Sequence, residues 1–341
     1  MKHLITITLC CLLMALPAGI FHNARAQELP KNVSNYRLSG PYTHKNLTVF
    51  LVHGKDRTTK TFLTLEEALA QKKVRVYETK DVNELAIRNL SNQDIYVQSG
   101  DIVRGGDQDR MISTDFIVPP KSGRMPIAAF CVESGRWSRR GSEPAETFAS
   151  SSNSVASKDL KLAAKRDNSQ QAVWENVALA QKKLSENVGG SVSATVSASS
   201  LELSVENSKV KDSTAAYINA LAGLVRNKPD VIGYVFAING EINSADVYAS
   251  HALFAKLWPK LIKASSVEAV AELRPNFVPK PVVDDHILGF LAESEQANAA
   301  TKEVTTRVRL VTREDDKNIF FETQDRAQKD GWVHRNYIRK H

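Results

Sequence analysis

The chain reads as an α+β protein. An antiparallel, β-sandwich-like N-terminal half packs with a helix–hairpin–helix half in one domain, and a small β-rich appendage closes the C-terminus. Three observations predict this. Short β-branched runs punctuated by turn residues fill 36–137, helical periodicities flank the hairpin signal Asn239-Gly240, and further apolar strands follow a proline-rich stretch. The main domain is expected over 35–275, a Pro-rich linker over 276–285, and the C-terminal β-rich region over 286–341.

Residues 1–26 read as a secretory signal peptide. Lys2 and His3 precede the apolar run Leu4 to Gly19, and Ala24-Arg25-Ala26 offers small residues for cleavage before Gln27. The run is short for a membrane span and Pro17 interrupts it. Cys10 and Cys11 lack a small-residue lipobox before them. An exported protein is therefore expected, periplasmic or extracellular after cleavage near Ala26, with no membrane span thereafter. The mature chain keeps one thiol, Cys131, so an internal disulfide is excluded and stability rests on core burial.

In the N-terminal half, Leu47 to His53 is an apolar strand. Thr64-Leu65-Glu66-Glu67 is a capping box opening a short helix to about Gln71. Strands follow at Val74 to Thr79, Glu84 to Leu90, Asp94 to Gln98, Met111 to Val118 and Met125 to Glu133, separated by turn residues such as Pro119-Pro120. Residues 138–169, with the run Ser150-Ser151-Ser152-Asn153-Ser154, lack periodicity and read as a mobile surface loop.

Gln170 to Val188 is helical, with Val173, Trp174, Val177, Leu184 and Val188 on one face and Gly189-Gly190 at its end. Ser191 to Ser200 reads as a linker or a loose strand. A second helix is expected from Ser213 to Arg226. Val231 to Ile238 is apolar on both faces, hence a covered central strand, and Asn239-Gly240 pairs it with Glu241 to Tyr248. Ser250 caps a helix over Leu253 to Leu273, kinked or restarted at Pro259. A short segment near His286 precedes strands at Val304 to Thr312, Asn318 to Thr323 and Trp332 to Ile338.

Chemistry is concentrated between Gly105 and Trp137. Adjacent Gly105-Gly106 permit positive φ and bare N–H groups that suit an anion, and Arg110 would add a guanidinium fork. The pattern matches no phosphate loop, however, and a tight hairpin or bulge with a surface arginine is the favoured reading. Cys131 shares a strand face with Glu133, which would raise its pKa, so a packed thiol is favoured over a nucleophile. Glu133, Arg136 and Trp137 form either an ion pair under an indole lid or a site with a base, an anion clamp and a stacking platform. Asp246, in a half-buried strand, needs a partner, for which Arg110 and Arg136 are candidates. Gln108, Arg110, Glu133, Arg136, Trp137 and Asp246 are thus the ligand-binding candidates.

Several classes lose support. There is no His-Glu-x-x-His, Cys-x-x-Cys, Gly-x-Ser-x-Gly or Gly-x-Gly-x-x-Gly, so no metal site and no cofactor are expected. Lys+Arg 45 against Asp+Glu 38 makes the chain mildly basic. Its charges are interspersed, which argues against nucleic acid as a partner.

The blocks Gly100-Asp101-Ile102-Val103-Arg104-Gly105-Gly106 with Gln108 and Arg110, Cys131-Val132-Glu133 with Gly135-Arg136-Trp137, Gly233 to Gly240 with Asp246, and Leu253-Phe254 with Leu257-Trp258-Pro259-Lys260-Leu261 resemble one bacterial family. It is the domain named for association with ADP-ribosylglycohydrolases and the rhodanese-phosphatase superfamily. The likeness covers roughly 35–275 and implies a boundary rather than a reaction. The expected function is an exported soluble binding or scaffolding protein for a small anionic ligand or an envelope protein. The alternative is a hydrolase or transferase acting on a phosphate- or nucleotide-like substrate, with Glu133 or Asp246 as base.

Overall fold

In the computed structural model, which describes residues 33–340 apart from 277, 279, 329 and 330, the most apolar strands lie in the middle of an eight-stranded antiparallel sheet. The chain opens with β1 (Arg37–His44), β2 (Leu47–His53), β3 (Leu63–Thr64) and α1 (Leu65–Ala70). It continues through β4 (Val74–Glu78), β5 (Glu84–Asn89), β6 (Ile95–Val97), β7 (Asp101–Gly105), β8 (Arg110–Ile112), β9 (Phe116–Val118), β10 (Met125–Cys131) and β11 (Phe148–Val155). Helices α2 (Lys158–Lys165), α3 (Gln170–Asn187), α4 (Leu201–Glu206) and α5 (Ser208–Leu221) precede the hairpin β12 (Val231–Ile238) and β13 (Glu241–Tyr248). Then come α6 (His251–Ala271), α7 (Asp284–Ser294), β14 (Ala299–Glu303), β15 (Val308–Glu314), β16 (Asn318–Asp325) and β17 (Trp332–Arg339). The leader over 1–26 lies outside the described residues.

The large sheet runs β1-β2-β12-β13-β17-β16-β15-β14. Every residue of β12 is buried, because helices cover both faces of its neighbourhood. On one face Tyr234 and Phe236 meet Phe254, Trp258 and Leu261 of α6. On the other, Val235 and Ala237 share a core with Ile287, Phe290 and Leu291 of α7. The turn between β12 and β13 requires its two residues: Asn239 and Gly240 both take positive φ, 53° and 71°. A side chain at Gly240 would also strike the backbone of Lys280, 2.7 Å from an added Cβ.

A second sheet runs β11-β7-β8-β10-β5-β4. Its edge strands approach each other: Tyr77 bridges Thr147, and the Glu78 N–H donates to Glu146 O at 3.0 Å. The sheet is thereby curled almost into a barrel around Val76, Leu85, Ile87, Val103, Ile112 and Ala129. The small sheet β3-β6-β9 adds one parallel pair, β3 with β6. The capping box at α1 is present as read, with the Glu67 N–H donating to Thr64 Oγ1 at 3.2 Å and the Thr64 N–H to Glu67 Oε2 at 2.9 Å.

Several expectations are corrected. The N-terminal strands do not form a sandwich of their own, since β1 and β2 join the large sheet while β4, β5, β7, β8 and β10 curl separately. The C-terminal strands are no appendage: β17 pairs with β13 along Ser244–Tyr248, so they complete the central sheet. The expected strand Met111 to Val118 divides into β8 and β9, which serve different sheets. The segment 138–169 is not a loop throughout. It supplies β11, laddered to β7, and α2, whose Leu160, Leu162, Ala163 and Ala164 are buried. Its serines hid the strand because a backbone ladder needs no apolar side chains. The helix expected from Ser213 begins earlier, as α4 and α5, each capped by a side chain: Ser200 and Asn207. Pro259 does not interrupt α6.

Candidate functional site

The motif residues fall at the ends of β7, β8 and β10, and strand register decides which of them meet. Arg110 and Cys131 are opposite each other across the β8–β10 ladder. The guanidinium of Arg110 donates to Cys131 Sγ, to Gln108 Oε1 at 3.1 Å, and to Glu78 Oε1 at 3.3 Å. Arg110, Gln108 and Glu78 are all buried. Burial, the largest influence, pushes the Cys131 thiol up to about 11, with Glu78 adding to the rise and Arg110 opposing it. Native Cys131 is therefore expected to resist a disulfide reagent such as DTNB at pH 8 and to react within minutes once urea unfolds the chain. Rapid labelling of the folded protein at stoichiometric yield would contradict this burial.

The glycine pair adopts the positive φ expected, 129° at Gly105 and 54° at Gly106, but it is not an open anion cradle. The protein's own oxygens take its amides: Gly105 N donates to Asp109 Oδ1 at 3.2 Å, Gly106 N to Pro144 O at 3.0 Å, and Asp107 N to Glu78 Oε2 at 3.2 Å.

Asp109, Glu133, Arg136 and Arg140 form a second group beside the first. Glu133 pairs with Arg136 at 2.6 Å and with Arg140 at 3.3 Å, and accepts the Asp109 N–H at 3.1 Å. Arg140 also meets Asp109 at 3.0 Å, Glu143 at 2.9 Å and Ser200 Oγ at 3.3 Å. Both carboxylates are wholly buried. Burial first, and then the charge of Glu133, raise Asp109 to about 6, against the pull of Arg140 and Arg136. Burial also works to raise Glu133, but Arg136, Ser197 and the Asp109 amide outweigh it and hold it below its ordinary value. Asp109 is thus the member that takes a proton first.

Trp137 is not a lid; its side chain is exposed. Arg140 and Glu78 were not anticipated from the sequence. Arg140 sits in the segment read as a loop, and only its company of charged neighbours hinted at a role.

Asp246 belongs elsewhere, and neither Arg110 nor Arg136 is its partner. It lies on β13 opposite Asn336 of β17. Its Oδ1 accepts from Asn336 Nδ2 at 2.9 Å and lies 3.0 Å from His334 Nε2, while His334 Nδ1 is 2.9 Å from Asp115 Oδ2. Thr323 and the Ser99 amide also donate to Asp115, and Tyr248 stacks on the imidazole at 4.5 Å. Burial works to lower His334, yet the two flanking carboxylates raise it, which favours an imidazolium with both nitrogens donating. The arrangement resembles a catalytic Asp–His pair, but all three side chains are sealed.

The open cavities lie apart from both groups. One, of about 60 Å³, is bounded by α2, α3, α4 and α6 and is mostly apolar. It shares Asp159, Lys183, Glu268 and Glu272 with a polar cavity of about 200 Å³ that reaches the β12–β13 turn. Among the described residues, no group of three or more His, Cys, Asp or Glu is placed to hold a metal ion. Nor, among them, is any helix long and apolar enough to cross a membrane.

A family model described as "ARG and Rhodanese-Phosphatase-superfamily-associated Protein domain" matches residues 35–338. The match runs past 275, where the sequence placed its end, and takes in β14 to β17. No curated protein and no solved structure matches the chain.

Proposed function

The chain belongs to this associated-protein family, and from that premise we propose that it is an exported, non-catalytic binding or scaffolding protein whose motif arginines and carboxylates act as a structural clasp. One observation carries the reading: the two carboxylates suited to act as general base, Glu133 and Asp246, are buried and already engaged by cations or amide donors. A general base must come within hydrogen-bond reach of a substrate proton, directly or through one water. The clasp joins parts distant in sequence: Arg104 of β7 pairs with Glu143 and with Glu206 of α4, and Gln170 of α3 exchanges two hydrogen bonds with the Cys131 backbone. Export is supported by the leader pattern of residues 1–26. The family description speaks of association, which assigns no reaction.

Two measurements test the proposal. Mass spectrometry of the protein made with its own leader is expected to give a mature chain starting at Gln27, outside the cytoplasm. The mature chain is expected to turn over neither phosphate monoesters nor nucleotides above the buffer rate. Turnover that disappears in Glu133→Gln, under conditions where the variant retains native circular dichroism, would overturn the non-catalytic reading.

A further inference from the structure

The paired cavities between the helices and the β12–β13 turn have two chemically distinct ends. The inner end, among Leu160, Ala180, Val205, Ala264 and Val267, is apolar and small. At about 60 Å³ it is well below the ~150 Å³ that admits a benzene ring, so it fits a branched group of three or four carbons. The outer end carries acceptors with spare capacity. Asn239 donates through Nδ2 to Glu272 O at 2.8 Å, but its buried Oδ1 has no hydrogen-bond partner. Glu268, at the junction of the cavities, accepts from Asn243 Nδ2 at 2.8 Å.

The rim also offers cations. Lys183 is taken by Glu272 and Lys340 by Glu314. Lys158 and Arg274 form no ion pair within 4 Å among the described residues, although the charge of Lys158 acts on Glu268. An unpartnered acceptor, a carboxylate and two cations line the outer end, and an apolar slot opens from it. That combination suits a molecule with an ammonium, a carboxylate and a short aliphatic branch.

We propose that this cleft binds a small zwitterion of the aliphatic amino-acid class. The ammonium faces Asn239 Oδ1 and Glu268, the carboxylate faces Lys158 and Arg274, and the side chain enters the slot between α3 and α6. This rests on the binding-protein reading above and adds to it the site and the ligand class. Burial raises the Glu268 carboxyl to about 6, with Asp159 adding to the rise and the Asn243 hydrogen bond and the charges of Lys158 and Lys161 opposing it. Ligand affinity should therefore fall as the pH drops through 6, because protonation removes the charge that faces the ammonium.

The test is calorimetric titration of the mature chain at pH 7.5 with leucine, valine, phenylalanine, 4-methyl-2-oxopentanoate and 3-methylbutylamine. Leucine or valine is expected to bind, with phenylalanine and each single-ended analogue at least tenfold weaker. Glu268→Gln and Ala180→Leu are each expected to weaken leucine at least tenfold, with native circular dichroism retained. An oxo-acid or amine that binds as tightly as leucine would overturn the ligand class. Leucine binding unchanged in both folded variants would overturn the site and leave the binding reading standing. If no amino acid binds while compounds from a broad thermal-shift collection do, the inference fails alone; if nothing in that collection binds either, the binding reading falls with it.

Discussion

A chain ended after Val304 is expected to yield no folded protein. That truncation removes β15, β16 and β17, and β17 is an interior strand of the large sheet, lying between β13 and β16. Its loss bares the edge of β13 and the apolar residues beside it. Val308, Ile319, Phe320, Phe321, Val333 and Tyr337 are all buried in the intact chain. At about 2 kcal/mol for each buried large side chain, losing them rivals the ~5–15 kcal/mol that holds a whole domain together. The deletion also takes His334 from between Asp115 and Asp246, and leaves Lys165 with a bare carboxylate neighbour. Soluble yield, circular dichroism and a urea transition supply the check. A soluble 1–304 chain that unfolds cooperatively would restore the separate C-terminal appendage.

That expectation runs opposite to the sequence reading, and the difference shows where local pattern stops being informative. β12 was legible because eight consecutive apolar or small residues, rich in β-branched and aromatic types and ended by a turn signal, suit a strand covered on both faces. Its turn was legible because Asn-Gly supplies two residues tolerant of positive φ. The helix cap at Thr64 was legible for a similar reason: its partner, Glu67, is three residues away. Pairings between distant segments were not. Nothing local to Trp332–Arg339 says that it lies beside β13, since the proline-rich stretch and α7 intervene.

The same limit governs the candidate site. Glu133 and Arg136 were read together because three residues separate them, and they pair. Asp246 was recognised as needing a partner, but the β13–β17 register chose Asn336 and His334 rather than an arginine. Arg140 was missed because a serine-rich neighbourhood suggested a mobile loop, whereas four polar groups hold it.

Glu133→Gln is expected to destabilise the protein by about 3–5 kcal/mol, the usual cost of breaking a buried ion pair from one side. The substitution keeps the size of the side chain, so the loss is one of charge. Arg136 and Arg140 are then left with Asp109 as their shared buried carboxylate. The variant should also change how stability depends on pH. In the native protein Asp109 holds its proton up to about 6, above the ~3.9 of an unfolded chain. A carboxyl raised in this way contributes stability that is fully present below the unfolded pKa and is lost as pH rises through the folded one. Part of that rise comes from the negative charge of Glu133. Removing the charge lowers Asp109, so the decline of its contribution between about pH 4 and 6 should flatten even as total stability falls. Arg140→Ala acts with the opposite sign, because it removes a cation that pulls Asp109 down and should steepen the decline. Urea midpoints of the three proteins between pH 4 and 8 separate these effects. Parallel pH profiles would mean that Asp109 and Glu133 do not share a proton-dependent clasp, whatever their distance from the arginines.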